Sequence, residues 1–531
     1  MTVDQPSSRK RKLVLSLACL AMLAACGDGS DSGISPVASS PHSNPVMTEN
    51  QLQGTADWRL TLPAMNREIE GYASATSINH GGSISFYVNT TAPAYTIEVF
   101  RMGWYGGAGG RRVLGPIQAP GIRQAIPTLD SIAGFLECAW INPYTLSTGN
   151  DWTSGIYLAK LTESAASKQS YIIFVVRNDE AASHFLYELP VTTYQAYNFW
   201  GGKSLYGYGS GNQLPWGTSD GKPAYKVSFN RPYVASTNPA AAFGVGAGEF
   251  LANVLPVKEY YPVSSAGWDY NLVRWLEKEG YDVTYVTNID VHRSSSLLSR
   301  ARTYISSGHN EYWSWEMRAN VTAFRDAGGN LVFFGANTIY WQIRLERSPI
   351  TGADNRVIVA YKDSAGEDPL YTDGIPSNDH LITARWRSAI VNRPEDTLIG
   401  VGYVLEYVKD ADLVVSNAAH WVFEHTGLTN GSRLTGLLGF EVDGTLGHQP
   451  VSTEFLCTSP VTEFSIHSHN PTIESAISHM VIYTWPSGAQ VFSTGTMQWS
   501  WGLDDYNVPE LRSSRLNTAA IQVTKNVLSR L

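Results

Sequence analysis

Basic clusters are scarce in this chain, and none follows the short run that ends at Lys12. The formal net charge is −9. Proteins that bind nucleic acids present basic patches or stripes, so the sequence argues against nucleic acid as a partner. Long apolar runs are scarce too. The run from Leu13 to Ala25 is too short to cross a bilayer with ease, and no later run reaches membrane-spanning length.

Two common catalytic motifs and a rich supply of cysteine are also missing. The chain has neither a His-Glu-x-x-His sequence nor a Walker loop, which are the marks of one class of zinc protease and of P-loop nucleotide sites. It has four cysteines in 531 residues. Cys138 and Cys457 are the two that follow the N-terminal region. They are predicted either to form one disulfide in an oxidising compartment or to remain two buried thiols.

The N-terminus has the pattern of an export signal. Basic residues 9–12 precede an apolar run that ends in Leu-Ala-Ala-Cys, with the cysteine at position 26. This ending resembles a bacterial lipobox, whereas a plain secretory signal is the alternative. We therefore expect residues 1–25 to be a lipoprotein signal peptide and Cys26 to carry the lipid that anchors the protein to a membrane. Gly27, and not Asp, follows the cysteine, which by resemblance to lipoprotein sorting in Gram-negative bacteria favours the outer membrane.

Residues 26–56 are rich in Gly, Ser, Pro, Asp and Asn and poor in apolar side chains. Such a composition buries too little surface to fold, so the segment is predicted to be a flexible tether. Residues 57–180 then show short β-rich runs bounded by turn residues, which predicts an immunoglobulin-like β-sandwich. The clearest runs are Ser83–Val88, Tyr95–Phe100, Gly155–Leu161 and Tyr171–Val176.

From residue 181 to 531 helical and strand patterns alternate, which predicts an α/β domain. Residues 268–280 read as an amphipathic helix, and residues 282–286 and 330–335 read as strands. Strands that alternate with helices imply a doubly wound parallel sheet. We expect this sheet to resemble the class I glutamine amidotransferase-like type. Residues of about 348–471 are irregular and β-rich, so they are predicted to be an insertion.

The most informative stretch is Thr303–Ser314, a predicted strand that ends at a glycine and is followed by His309 and Glu311. A helix is predicted from about Trp313 to Asp326. Ligands bind beyond the carboxyl ends of strands in open α/β sheets, so a His-x-Glu pair there is a candidate for metal ligation or acid–base chemistry. The alternative is an acidic residue that only complements a helix dipole. No cysteine occupies this turn, which excludes a thiol nucleophile there.

A second histidine pattern stands at His467 and His469. Side chains two apart in a strand share a face, so these imidazoles are a possible metal pair. A surface strand with two solvated histidines is the other interpretation, and we favour it.

Several segments together carry a resemblance to a known family. They are Tyr105–Gly107, Leu189–Gly202, Ser228–Tyr233 and Leu438–Gly444, in combination with the His309 element. Their order resembles the large (beta) subunit of N,N-dimethylformamidase and its wider relatives, from about Gly71 to the C-terminus.

This resemblance implies a mononuclear ferric iron site. Its ligands would be Tyr197, Tyr233 and Glu311, with Tyr194 as an alternative to Tyr197. His309 would orient water or substrate and protonate the released amine, and Glu441 would be the general base. Phenolate and carboxylate oxygens are hard donors and suit a hard, highly charged cation.

The resemblance also implies a function, namely metal-dependent hydrolysis of amide or related C–N bonds. The expected partners are a small amide-type substrate, a membrane reached through the lipid anchor, and either a separate small subunit or further copies of this chain. Two other functions are open: a non-catalytic envelope lipoprotein that binds glycans or peptides, and a structural envelope component.

Overall fold

The computed structural model describes residues 44–207, 221–254, 265–462 and 475–531. The predicted signal peptide with Cys26 and the histidine pair His467 and His469 lie outside the described residues. Within the described ranges, no helix combines the length and the apolar character that crossing a membrane requires.

The N-terminal part consists of two β-sheets that share one apolar core. Their order is β1-β3-β6 and β2-β8-β7-β4-β5, and only the β2–β8 pair is parallel. In β3, Ile84, Phe86 and Val88 are buried and alternate with more exposed residues, the pattern of a strand with one face on a core. The strands are β1 Ile69–Ala73, β2 Ser77–Asn79, β3 Ser83–Thr90, β4 Ala94–Met102, β5 Gly110–Pro120, β6 Tyr144–Ser147, β7 Gly155–Glu163 and β8 Gln169–Arg177.

The rest of the chain mixes strands and helices. Its strands are β9 Ser183–Leu189, β10 Lys226–Ser228, β11 Val283–Thr287, β12 Ala301–His309, β13 Tyr312–Ser314, β14 Asn330–Ala336, β15 Trp341–Glu346, β16 Val357–Val359, β17 Gly402–Val414, β18 Arg433–Gly444, β19 Glu454–Thr462, β20 Ser475–Thr484 and β21 Gln490–Ser493. The helices are α1 Pro45–Asn50, α2 Val191–Tyr197, α3 Asp269–Lys278, α4 Asn288–Arg293, α5 Trp315–Asp326, α6 Pro369–Thr372, α7 Asp396–Ile399 and α8 Thr518–Arg530.

The main sheet has seven strands in the order β11-β9-β12-β14-β21-β20-β19. The first five are parallel, and β20 and β19 are antiparallel. Every residue of β14 is buried, as expected where helices and loops cover both faces of a parallel sheet. The structure thus confirms a mixed α/β fold with several sheets. The immunoglobulin-like and amidotransferase-like assignments stay predictions.

The segment predicted as an insertion, residues 348–471, contributes strands to three sheets. β16 joins the small sheet β10-β16-β15-β13, and β17 pairs with β18. β19 forms the edge of the main sheet beside β20. The segment therefore pairs with strands from other parts of the domain. Its strand β18 places Glu441 near the carboxyl ends of the parallel strands.

The predicted tether of residues 26–56 ends earlier than expected. Asn44 caps α1 by accepting from the amides of Val46 and Met47, and its side-chain amide donates to the carbonyl of Gly280. Val46 is fully buried. The prediction is wrong from residue 44 onward, because a cap and one apolar residue suffice to dock a short helix on a preformed surface.

The two cysteines beyond the N-terminal region are free thiols. Cys138 and Cys457 are both buried, so the disulfide alternative is not realised in this structure. Burial raises the pKa of the Cys457 thiol to about 12, which keeps it protonated and unreactive near neutral pH.

A buried ion pair connects the N-terminal sheets to the α/β part. Arg101 on β4 donates from Nη2 to Oε1 of Glu277 on α3 at 2.8 Å and from Nη1 to Oε2 at 3.0 Å, and both side chains are 0% exposed. The Tyr285 hydroxyl also donates to Glu277, at 2.8 Å. Bidentate geometry and an additional hydrogen-bond donor compensate for the desolvation of a buried ion pair.

We predict that Glu277→Gln destabilises the protein by about 3–5 kcal/mol, because it leaves the Arg101 charge buried without a counter-ion. Urea unfolding followed by circular dichroism measures the change. The control is Asp354→Asn at the exposed Arg347–Asp354 pair, which should change stability by less than about 0.5 kcal/mol. Equal effects of the two substitutions would contradict the prediction.

Candidate active site

The site begins where β12 ends. Gly308 adopts φ = 57°, and a Cβ there would lie 2.8 Å from Cβ of Trp268. Only glycine combines that backbone conformation with so close a neighbour. The chain turns at this point and sets His309 and Glu311 beyond the carboxyl edge of the sheet, as the sequence predicted.

The helix that follows starts later than predicted. A short strand, β13, intervenes and pairs with β15, so α5 begins at Trp315 and not at Trp313. Ser314 is the N-cap, and its hydroxyl accepts from the amide of Met317 at 3.1 Å. A serine three residues before a buried methionine fixes the start of the helix at that position. The predicted end at Asp326 is confirmed.

Helix α2 holds the strand tip and presents Tyr197. The hydroxyl of Thr192 donates to the carbonyl of Tyr312 at 2.7 Å, and the amide of Glu311 donates to Oγ1 of Thr193 at 3.0 Å. At the end of the same helix, the Tyr197 hydroxyl donates to Oε2 of Glu311 at 2.8 Å. One helix thus fixes both the backbone and a side-chain partner of Glu311.

Tyr194, the alternative ligand on the same helix, points away from Glu311. The hydroxyl of Tyr194 is buried and donates to Oδ2 of Asp269 at 2.6 Å. The geometry therefore favours Tyr197 over Tyr194 as the neighbour of Glu311.

A tyrosine that sequence reasoning missed completes the surroundings of Glu311. Tyr206 lies with its hydroxyl 3.0 Å from Oε1 and 3.1 Å from Oε2 of Glu311, and 2.9 Å from the hydroxyl of Tyr197. The hydroxyl of Tyr312 donates to Tyr206 at 2.6 Å. The rings of Tyr197 and Tyr206 stack with centroids 4.6 Å apart. No spacing in the sequence marked Tyr206 among 28 tyrosines.

Tyr233 occupies a different position from the one expected. Within the described part of the chain, no hydrogen bond joins it to Glu311, and its ring lines a cleft with Tyr72, Arg231 and Arg356. Its backbone nevertheless lies beside α2, because Asn198 donates to the carbonyl of Pro232 at 2.9 Å. Burial raises the pKa of Tyr233, although the two arginines oppose the rise.

His309 bridges two buried carboxylates. Its Nε2 lies 3.2 Å from Oε2 of Glu311 and 3.1 Å from Oε2 of Glu441. Asn337 donates to Oε2 of Glu441 at 2.8 Å and lies 3.3 Å from Nε2 of His309. Burial alone would lower the pKa of His309, but Glu441 and Glu311 together raise it well above its ordinary value. We call Tyr197, Tyr206, His309, Glu311 and Glu441 the Glu311 cluster.

One cation approaches the cluster from the segment after β16. Nζ of Lys362 lies 3.5 Å from the centroid of the Tyr206 ring. Burial lowers the pKa of Lys362 to about 8, while the negative charge of Glu311 works in the opposite direction. No pattern in the sequence marks this residue.

The oxygen donors around Glu311 fit a hard cation. Two phenol oxygens converge within 3.1 Å of a carboxylate whose residue is 2% exposed. Carboxylate and phenolate are anionic oxygen ligands, which suit a ferric ion better than a soft metal. Among the described residues, no group of three or more His, Cys, Asp or Glu side chains is arranged to hold a metal. Any metal here would thus depend on tyrosine.

Comparison with known proteins assigns the family. The family described as "N,N-dimethylformamidase beta subunit-like, C-terminal" matches residues 96–512. The chain belongs to this family. The match includes most of the N-terminal sheets and all members of the Glu311 cluster, so it agrees with the resemblance carried by the motifs.

Two curated relatives of the N,N-dimethylformamidase family are similar over about half of this chain. The beta subunit of N,N-dimethylformamidase from Alcaligenes sp is 22% identical over 283 residues, 47% of this chain and 36% of the relative. The beta subunit from Paracoccus aminophilus is 22% identical over 277 residues, 46% of this chain and 35% of the relative. The similarity thus spans about a third of the length of each relative.

Glu188, near the end of β9, is a buried carboxylate that hydrogen-bonds residues close to the end of β12. Its Oε1 accepts from the side-chain amides of Asn288 and Asn310 and from the hydroxyl of Tyr304, at 2.7–2.9 Å. Among described atoms, its Oε2 has no hydrogen-bond partner. Burial raises the pKa of Glu188 to about 7, and the three donors limit the rise.

This raised pKa predicts a pH dependence of stability. The folded protein keeps the proton of Glu188 up to about pH 7, whereas the unfolded chain releases it near 4.5. Stability is therefore fully present below about 4.5 and falls as pH rises to about 7, by at most about 1.4 kcal/mol per pH unit. Glu188→Gln should remove this decline and become more stable relative to the wild type as pH rises.

Urea unfolding at several pH values between 4.5 and 8 measures this difference. The exposed Glu180→Gln variant serves as the matched control and should follow the wild type. A constant difference between Glu188→Gln and wild type across the range would show that folding does not raise the pKa of Glu188.

Proposed function

We propose that this protein hydrolyses amide or related C–N bonds at the Glu311 cluster. Membership of the N,N-dimethylformamidase beta subunit-like family supports this reaction class. The observation that carries the proposal is the convergence of two tyrosine hydroxyls and one imidazole on the buried carboxylate of Glu311. Structural roles alone do not require so many polar groups at the tip of a parallel sheet, which is where such folds bind ligands.

Ferric iron is the proposed cofactor. Glu311 and Tyr197 would hold it, together with one further tyrosine. The structure supports Tyr206, which already lies on Glu311, whereas the family resemblance supports Tyr233. A bound ferric ion would polarise the amide carbonyl and make water more acidic.

The remaining residues of the cluster handle protons. Glu441 is the proposed general base, because its carboxylate is buried, close to His309 and held by the side chain of Asn337. His309 carries a proton at Nε2 between two carboxylates and can pass it to the departing amine. Lys362 offsets the negative charge that gathers around Glu311.

The setting of the enzyme is a further part of the proposal. We infer from the lipobox-like sequence that Cys26 is lipidated and that the protein is exported and held at the outer membrane. The relatives are named as beta subunits, which supports a partner subunit or self-association.

The metal proposal predicts a coloured protein. Purified full-length chain, supplied with iron in air, should bind about one iron per chain by elemental analysis and show a visible phenolate-to-iron charge-transfer band. Tyr197→Phe should shift or weaken that band, because it removes one phenolate ligand. Tyr194→Phe is the matched control and should leave the band unchanged.

The same spectra distinguish Tyr206 from Tyr233 as the second tyrosine ligand of the iron. If Tyr206 is a ligand, Tyr206→Phe changes the band and Tyr233→Phe does not, and the reverse holds if Tyr233 is the ligand. A colourless protein without iron after supplementation would contradict the ferric proposal.

The proton-transfer proposal predicts a loss of turnover in Glu441→Gln. We expect kcat to fall about 10²–10⁴-fold with little change in KM, the usual effect of losing a general base. A screen of formamides, small amides and peptides supplies the substrate. Glu454→Gln, an exposed residue on β19, is the control with unchanged kcat. Hydrolysis of none of these compounds would favour the binding lipoprotein alternative.

The anchoring proposal predicts that Cys26→Ser abolishes lipid attachment. Cells fed radioactive palmitate should label the wild-type chain and leave the variant unlabelled, because the thiol is the acceptor. Equal labelling of both proteins would place the lipid at another residue, and absence of label from both would exclude lipidation.

A further inference from the structure

A second cavity lies between the N-terminal sheets and the α/β part. Its volume is about 520 Å³, within the range of sites that take small molecules. Residues 58–60 and 104–107 form one wall, α3 forms another, and residues 503–510 close it. None of its lining residues belongs to the Glu311 cluster, so it is separate from the proposed active site.

Aromatic rings form the apolar surface of this cavity. Trp58, Trp104, Tyr171, Phe243 and Tyr506 all line it. Trp58 and Tyr171 are buried at its base, while Trp104 and Tyr506 are half-buried. Large rigid rings bind apolar groups with little loss of conformational entropy, so this surface suits an apolar or aromatic side chain.

The charges of the cavity are separated by sign. Cationic side chains come from the first two walls, namely Arg59, Arg274 and Lys278. Anionic side chains come from the third wall, namely Asp504, Asp505 and Glu510. Arg274 and Asp504 pair at 3.0 Å between Nε and Oδ1, so that ion pair is already satisfied.

Three of the charged side chains at the rim lack an ion pair within the described structure, whereas Asp505 already accepts from the Ser514 hydroxyl and lies 3.7 Å from Nη1 of Arg512. Among the described residues, neither Lys278 nor Arg59 nor Glu510 has an ion-pair partner within 4 Å. Nζ of Lys278 lies 5.3 Å from the Trp104 ring centroid, and the Arg59 guanidinium carbon lies 5.4 Å from that of Trp58. These cations are thus held over the aromatic surface and remain available to a bound anion.

This arrangement selects a ligand that carries both charges. Apart from the Arg274–Asp504 pair, an anion alone would face Asp505 and Glu510, and a cation alone would face Arg59 and Lys278. We propose that the cavity binds a short zwitterionic peptide with an apolar side chain. The peptide carboxylate lies towards Lys278 and Arg59, and its ammonium lies towards Glu510. Its side chain packs on Trp104 and Tyr506.

Calorimetric titration of the full-length protein with the dipeptide Leu-Phe tests this proposal. The wild type should bind, and Lys278→Gln and Glu510→Gln should each weaken binding by roughly tenfold. Trp104→Ala should weaken it further through loss of the aromatic surface. Lys168→Gln, in the turn between β7 and β8 and outside the cavity, is the matched control and should bind like the wild type.

Blocked peptides assign each charge to its partner. The C-terminal amide of Leu-Phe should bind wild type and Lys278→Gln equally, because its carboxylate is already absent. N-acetyl-Leu-Phe should likewise show no difference between wild type and Glu510→Gln. Absence of binding to the wild type, undiminished binding of the doubly blocked peptide, or displacement of Leu-Phe by maltotriose would each overturn the proposal. None of these outcomes bears on the hydrolase, whose iron band and turnover are measured at another site.

Discussion

The site depends on the hydrogen bonds between α2 and the segment after β12. Thr192 and Thr193 hold the backbone of residues 311 and 312, and the same helix ends at Tyr197. A buried amide or carbonyl left without a partner is costly, so these contacts fix the register of helix against strand tip. The backbone hydrogen bonds therefore orient the carboxylate of Glu311. The Tyr197 hydroxyl lies within hydrogen-bonding distance of it because the same helix, α2, holds both residues.

Much of the fold could be predicted because its strands and helices follow simple periodicity. The alternation of residues in β3 and the apolar run of β14 are local patterns that predict strands, and both segments are strands in the structure. The start of α5 and the docking of α1 were missed for one reason. Each depends on a partner far away in sequence, β15 for the residues before α5 and Gly280 for Asn44. Periodicity cannot reveal such partners, and the same limit hid the edge position of β19.

The residues of the candidate site also fall into those with a local sequence pattern and those without one. The position of His309 and Glu311 at the strand tip was predictable because a glycine, a strand and two polar residues stand together in the chain. The family resemblance alone singled out Glu441, which lies 3.1 Å from His309. Tyr206, Asn337 and Lys362 come from three separate segments between the strands, and only the folded sheet brings them to one place. Tyr233 shows the converse: a residue within a matching motif can lie beside the expected helix without a hydrogen bond to the expected carboxylate in the described structure.

The Arg101–Glu277 pair has a consequence for the inheritance of this architecture. Each partner is fully desolvated, one on the N-terminal sheets and one on α3. Separation of the two parts by gene fission would break this ion pair, hydrate its two charges and expose the apolar surface around them. We therefore expect the β-rich part and the α/β part to remain joined in one chain during evolution. A family match that begins at residue 96, inside the N-terminal sheets, agrees with such joint descent.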